Sequence, residues 1–213
     1  MKFDVFRKKY KSWPVIPSAV VVREDQAEYQ VTRNQLSRWT KNGKLISLRK
    51  GMYAFHPEEA SSAPEILYIA NRLYEPSYIS MEYALSLYEL IPEYVPTVTS
   101  VTTRKTMSFK NELGTFSYQR VVPGAFRGFR QEKQDHNKQV FVAEPEKAVL
   151  DFLYLNRPKF RKDFEGVLFG SFRFQNLAIL DPARITELGE CYGSASLSKM
   201  AAQLTALIRK EKT

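Results

Sequence analysis

This 213-residue chain has a single cysteine, Cys191. That excludes an internal disulfide and any cysteine-built metal site, and it fits a reducing compartment. A cytoplasmic location is the expectation. Histidine is nearly missing too. His56 stands before a proline and His136 lies in the polar run QEKQDHNKQ, and two isolated histidines do not make a metal site. No cofactor and no metal are expected. No apolar run approaches the roughly 20 residues that a membrane span needs. The opening MKFDVFRKKYKSW has no apolar segment of the kind a secretory leader carries, so no membrane role is expected. Neither a phosphate-cradling glycine loop of the P-loop type nor a nucleophile elbow is present.

The most informative absence is local. From Tyr29 to Pro57 there is no Asp or Glu, while the same interval holds Arg33, Arg38, Lys41, Lys44, Arg49 and Lys50. A solvated helix gains from mixing signs, because ion pairs four residues apart stabilise it slightly. A helix face of cations, Asn and Ser forgoes that gain, and nucleic acid would supply the missing anions. Residues 1–56 carry twelve Lys and Arg against four Asp and Glu; the remaining 157 residues carry twenty against nineteen. A basic N-terminal module is joined to a nearly neutral body.

Within VTRNQLSRWTKNGKLISLRKGMYAF, Thr32 with Gln35 reads as a capping box opening a helix. Leu36 and Trp39 share its apolar face, and Arg33, Asn34, Ser37, Arg38 and Lys41 form the opposite one. Gly43 fits the left-handed stop. Alternation through Ile46 and Leu48, a Lys50-Gly51 turn and Met52 to Phe55 read as a hairpin. Upstream, Phe3, Phe6 and Tyr10 mark an amphipathic helix; Ser18 can cap a second short one to about Glu24, while Val20, Val21 and Val22 also suit a strand. Three helices and a basic hairpin make a winged helix-turn-helix over residues 1–57. The long helix would enter the major groove of double-stranded operator DNA. Arg33, Asn34, Ser37 and Arg38 would meet base edges or nearby phosphates, and Lys41, Lys44, Arg49 and Lys50 the backbone.

Residues 58–213 read as a larger α+β domain with a mostly antiparallel sheet. Ser62 with Glu65 caps a helix buried through Ile66, Ile69, Ala70 and Leu73. Ser80 caps the next, with Ala84, Leu85, Leu87 and Tyr88 inward. Four or five strands follow between Thr97 and Ala143. EPEKAVLDFLYL is a helix with acids in its first turn, where the helix dipole favours them. FEGVLFGSFRF takes no assignment. Asp181 caps another helix, and the last one buries Leu197, Met200, Ala201, Leu204, Leu207 and Ile208; a partner-binding groove is the alternative use of that stripe.

Several of these segments resemble the antitoxin component of AbiE-type abortive-infection toxin–antitoxin systems (AbiEi). The likeness runs through RWTKNGKLISLRKGMYAF, YISMEYAL, Leu90-Ile91-Pro92, VTSVTTRK and AFRGF. It is strongest in VAEPEKAVLDFLYL, where Ala143, Pro145, Glu146, Lys147, Ala148 and Asp151 fall on the family pattern. It covers most of residues 30–155 as a string of short matches, and nothing is carried over outside it. The resemblance implies a transcriptional autoregulator that binds operator DNA through its N-terminal module. It also implies that the larger domain counters a nucleotidyltransferase-type toxin, and that EPEKA is a structural signature.

Two other classes compete with that reading. One is a protein-interaction module whose basic N-terminus tunes solubility or meets an acidic partner. The other is an enzyme acting on nucleic acid or nucleotides through Glu144, Glu146 and Asp151. Those acids do not share one helix face, the dipole accounts for the first-turn pair, and Lys147 can pair with Asp151 one turn on. Gly193-Ser194 matches the Gly-Ser of nucleotidyltransferases, but no Asp-x-Asp follows it. The expectation is a protein without catalytic activity.

Overall fold

The computed structural model describes residues 1–26, 28–133 and 138–211, so His136 and its polar run's centre lie outside the described residues. The chain is a mixture of helices with antiparallel and mixed sheets. It divides into two compact units: Met1–Tyr74 with Phe109–Thr115, and Glu75–Ser108 with Phe116–Thr213. The first unit thus runs past residue 57, where the sequence placed its boundary, and takes in the next helix.

In the first unit α1 (Phe3–Tyr10), β1 (Ile16–Pro17), α2 (Ser18–Asp25), α3 (Tyr29–Lys41), β2 (Leu45–Arg49), β3 (Met52–Phe55) and α4 (Ile66–Leu73) follow in order. The strands form an antiparallel sheet in the order β1-β3-β2. Its core is aromatic. Phe6 lies 4.7 Å from Trp39, 4.9 Å from Tyr10 and 5.5 Å from Phe55, ring centre to ring centre. Phe3 closes the cluster against Trp39 at 5.3 Å. Such pairs add about 0.5–1.5 kcal/mol each beyond the area they bury. They tie α1, α3 and β3 together.

α3 starts three residues before the expected Thr32. Thr32 is buried inside the helix, and its N–H donates to the Glu28 carbonyl at 3.1 Å. It belongs to the apolar face with Leu36 and Trp39, a spacing of four and three, and burial of that methyl outweighs its use as a cap. The other end is as expected. Gly43 has φ +68°, its N–H donates to the Thr40 carbonyl, and the Lys44 N–H reaches back to Trp39 at 2.9 Å. That is the paired closure of a left-handed helix stop. α4 also begins later than expected, at Ile66 rather than after Ser62. Pro64 disfavours helical backbone in the residue before it.

The second unit is built on a six-stranded sheet, order β6-β7-β5-β4-β9-β8. Its strands are β4 (Ser77–Ile79), β5 (Thr97–Thr102), β6 (Met107–Asn111), β7 (Gly114–Arg120), β8 (Phe129–Lys133) and β9 (Gln139–Ala143). Residues 109–115, at the β6–β7 turn, group with the first unit. β4 pairs antiparallel with β5 and parallel with β9. At three residues it is too short to show a period, and the sequence missed it. Helices α5 (Met81–Leu87), α6 (Pro145–Leu155), α7 (Pro182–Glu190) and α8 (Ala195–Glu211) share one apolar core with it. Leu87, expected inward, is 49% exposed; Met81, Ala84 and Leu85 make the buried face of α5, and Leu87 falls beside it. The unassigned FEGVLFGSFRF contains a π-helical turn, Gly166–Ser171. Asp181 caps α7 through the Ala183 N–H at 2.9 Å. The α8 stripe faces the core, with Leu207 half-buried at its margin. Among the described residues no helix is long and apolar enough to cross a membrane.

The Gly43 stop isolates a purely conformational cost, since a Cβ added there meets nothing within 4 Å. Gly43→Ala should lower the unfolding free energy by about 1–2 kcal/mol, the cost of left-handed backbone for an L residue. Urea unfolding of the two proteins measures it, and equal midpoints would refute the assignment.

Candidate nucleic-acid interface

Because Thr32, Leu36 and Trp39 are buried, the rest of α3 must face solvent. Arg33, Asn34, Ser37, Arg38 and Lys41 are all exposed. Two rows run along the helix. Tyr29, Arg33, Ser37 and Lys41 are each four apart, and Gln30, Asn34 and Arg38 form the neighbouring row. The first row borders a cleft of about 270 Å³. Thr40 joins it from α3, Ser18 from the start of α2, Ser47 from β2, Lys50 and Gly51 from the turn, and Tyr53 from β3.

Four of the eight residues singled out in the sequence therefore come together here: Arg33, Ser37, Lys41 and Lys50. Asn34 and Arg38 stand on the adjoining row, where the Gln30 side-chain amide donates to Asn34 at 3.1 Å. The other two are occupied within the fold. The Lys44 ammonium sits over the Phe3 ring, 4.2 Å from its centre. Arg49 donates from Nε to the Leu73 carbonyl at 2.7 Å. Leu48, beside it on β2, accepts from the Asn111 side chain at 3.1 Å. The edge strand of the hairpin is thus held by α4 and by the 109–115 segment, both within the first unit.

Among the cleft residues there are three cations and no carboxylate. Acids of this unit are engaged elsewhere. Lys9 takes Asp25 at 2.9 Å and Glu24 at 3.1 Å, Tyr10 donates to Glu24 at 2.9 Å, and Arg7 pairs with Glu59 at 3.3 Å. Asp25 first, then Tyr10 and Glu24, raise the pKa of Lys9, so its ammonium stays protonated at neutral pH. Glu28 precedes α3 and does not line the cleft. Burial pushes the Tyr53 phenol above its usual range while the Arg33 charge opposes the shift. The phenol keeps its proton and can donate.

Tyr29, Tyr53, Ser18, Thr40 and Ser47 were not foreseen as part of this surface. Tyr29 was recoverable: it extends the Arg33–Ser37–Lys41 row by one turn, and starting the helix at Thr32 hid it. Nothing in the sequence pairs Ser18 or Tyr53 with α3.

The acids considered for catalysis have other partners. Glu144 takes Arg184 in a two-pronged bond, 2.7 and 2.9 Å, which raises the arginine's pKa. Glu146 accepts the Asp181 N–H at 2.9 Å. Asp151 is fully buried and accepts from Tyr78 at 2.9 Å, Ser80 at 2.7 Å, Tyr192 at 2.7 Å and Lys147 at 2.7 Å. Lys147 also bonds the Tyr192 hydroxyl. Ser80, expected to cap α5, does occupy the cap position, but its hydroxyl goes to Asp151. Burial lowers the Lys147 pKa and raises those of Tyr78 and Tyr192. A buried carboxylate with four donors is satisfied, and it joins β4, the α5 cap, α6 and the α7–α8 connection. Among the described residues no cluster of His, Cys, Asp and Glu is placed to hold a metal ion. Compared with known proteins, the chain matches no family model and no curated sequence.

Arg49→Ala should cost about 0.5–1.5 kcal/mol, the worth of its bond to Leu73, whereas Lys50→Ala should stay within about 0.5 kcal/mol of the parent; denaturant unfolding ranks them, and the reverse order would contradict the placement. Asp151→Ala strands Lys147 and three hydroxyls in the core and should cost about 3–5 kcal/mol. A thermal unfolding midpoint unchanged by that substitution would show the cluster to be incidental.

Proposed function

We propose that the chain is a sequence-specific DNA-binding transcriptional autoregulator whose first unit works as a winged helix-turn-helix. In this reading α3 is the recognition helix, and the β2–β3 hairpin is the wing. The carrying observation is the acid-free, cation-bearing surface shared by α3 and the β2–β3 turn, with Glu24 and Asp25 of α2 held by Lys9 of α1. A helix that buries one face and offers Arg, Asn, Ser and Lys on the other suits major-groove docking. Asn34 and Arg38 are the base readers; Arg33, Lys41 and Lys50 hold phosphates.

The antitoxin part of the proposal rests on the resemblance of Val142–Leu155 and the segments around it to the AbiEi family. There the second unit counters a nucleotidyltransferase-type toxin, and no catalytic step is assigned to this chain. Burial of Lys147 and Asp151 in a closed network accords with a structural EPEKA segment.

Duplex DNA from the region upstream of the gene, titrated by fluorescence anisotropy between about 50 and 200 mM salt, tests the reading. Affinity should fall steeply with salt, and Arg33→Ala or Lys41→Ala should each flatten the log–log slope by about one unit. Asn34→Ala should leave the slope unchanged and relax base preference at one position by roughly 1–3 kcal/mol. Absence of binding at the lower salt would reject the reading.

A further inference from the structure

The cleft between α3 and the β2–β3 turn holds more donors than a solvated surface requires. Three cations and the hydroxyls of Ser18, Ser37 and Ser47 border one space of about 270 Å³, together with two phenols and no acceptor charge. Tyr29 is 56% exposed, so the aromatic core does not account for its ring. Phosphate oxygens accept hydrogen bonds from Arg, Lys, Ser and Tyr alike. The cleft is bounded by the Tyr29–Arg33–Ser37–Lys41 row, while the Gln30–Asn34–Arg38 row lies on the next face of the helix. A strand backbone in the cleft would therefore turn Asn34 and Arg38 toward the adjacent base edges.

We propose that the cleft seats the sugar–phosphate backbone of one strand of the bound duplex, Arg33, Lys41 and Lys50 each meeting a phosphate along it and the Tyr53 hydroxyl donating to one of them. This assigns Tyr29 and Tyr53 to the interface and makes the cleft the element that sets the register of α3 on DNA. It rests on the DNA-binding reading above. Tyr53→Phe removes only an O–H and keeps the ring, so it should unfold at the parent's midpoint. Ser47→Ala and Tyr29→Ala complete the set, with unfolding midpoints measured alongside.

The test is duplex titration of the full chain with these variants. A second arm titrates inorganic phosphate against the free protein and follows its melting temperature. Tyr53→Phe should weaken duplex binding about 3- to 10-fold, the worth of one hydrogen bond. Lys50→Gln should lower the salt slope by about one unit. A duplex with a neutral methylphosphonate at the phosphate that Lys50 meets should bind Lys50→Gln and the parent alike, while other positions should not. Duplex binding indifferent to Tyr53, Ser47 and Lys50 substitutions would overturn the seat and leave the DNA reading standing. No duplex binding by the parent would overturn both. Saturable stabilisation by inorganic phosphate at low concentration, without loss of duplex affinity in the variants, would assign the cleft to a small phosphoanion and also overturn the proposal.

Discussion

Burial of one face of α3 is the constraint from which the rest of the first unit follows. Thr32, Leu36 and Trp39 are buried, Leu36 and Trp39 share a core with Phe6 and Tyr10 of α1, and the Phe6 ring contacts both Trp39 and Phe55. Fixing that face fixes the opposite one. Arg33, Ser37 and Lys41 have nowhere to go but outward, and Gly43 turns the chain so that the hairpin returns beside them. Removal of Phe6 would take away a ring that touches three elements, which in comparable cores costs about 3–5 kcal/mol. Charge follows the same geometry. Acids that could neutralise the helix are drawn to Lys9 and Arg7 instead. The electrostatic surface is a consequence of aromatic packing.

A different device holds the second unit. Its central helix α6 is buried on most sides, so it carries Lys147 and Asp151 into the core with it. Neither charge would be tolerated alone, since an isolated ion in an apolar interior costs several kcal/mol. The hydroxyls of Tyr78, Ser80 and Tyr192 complete the coordination of the carboxylate and come from distant parts of the chain. Such a network specifies which strand and which helix ends must meet. An apolar core of equal volume would accept more than one arrangement.

Local signals were legible in the sequence, and long-range ones were not. Phe3, Phe6 and Tyr10 announced α1 by spacing, Gly43 announced the end of α3, and Lys50-Gly51 announced the turn. Lys147 and Asp151, four apart, foretold their ion pair. Where two local signals competed, the sequence misled: Thr32 offers both a cap and a methyl, and tertiary burial decided for the methyl. β4 is three residues long and takes its identity from β5 and β9 on either side. Arg49 and Lys44 read as free cations because nothing near them in sequence is acidic. A carbonyl contributed by Leu73 and a ring contributed by Phe3 occupy them instead.

The proposed DNA binding requires α3 and the β2–β3 turn to work as one surface for a polyanion. Amide hydrogen exchange of the full chain, with and without upstream duplex DNA, reads this out residue by residue. Added protection should concentrate in residues 29–41 and 47–53, with α1 and the α6 helix unchanged. Protection confined to α1 and α2, or spread over the second unit with none on α3, would contradict it.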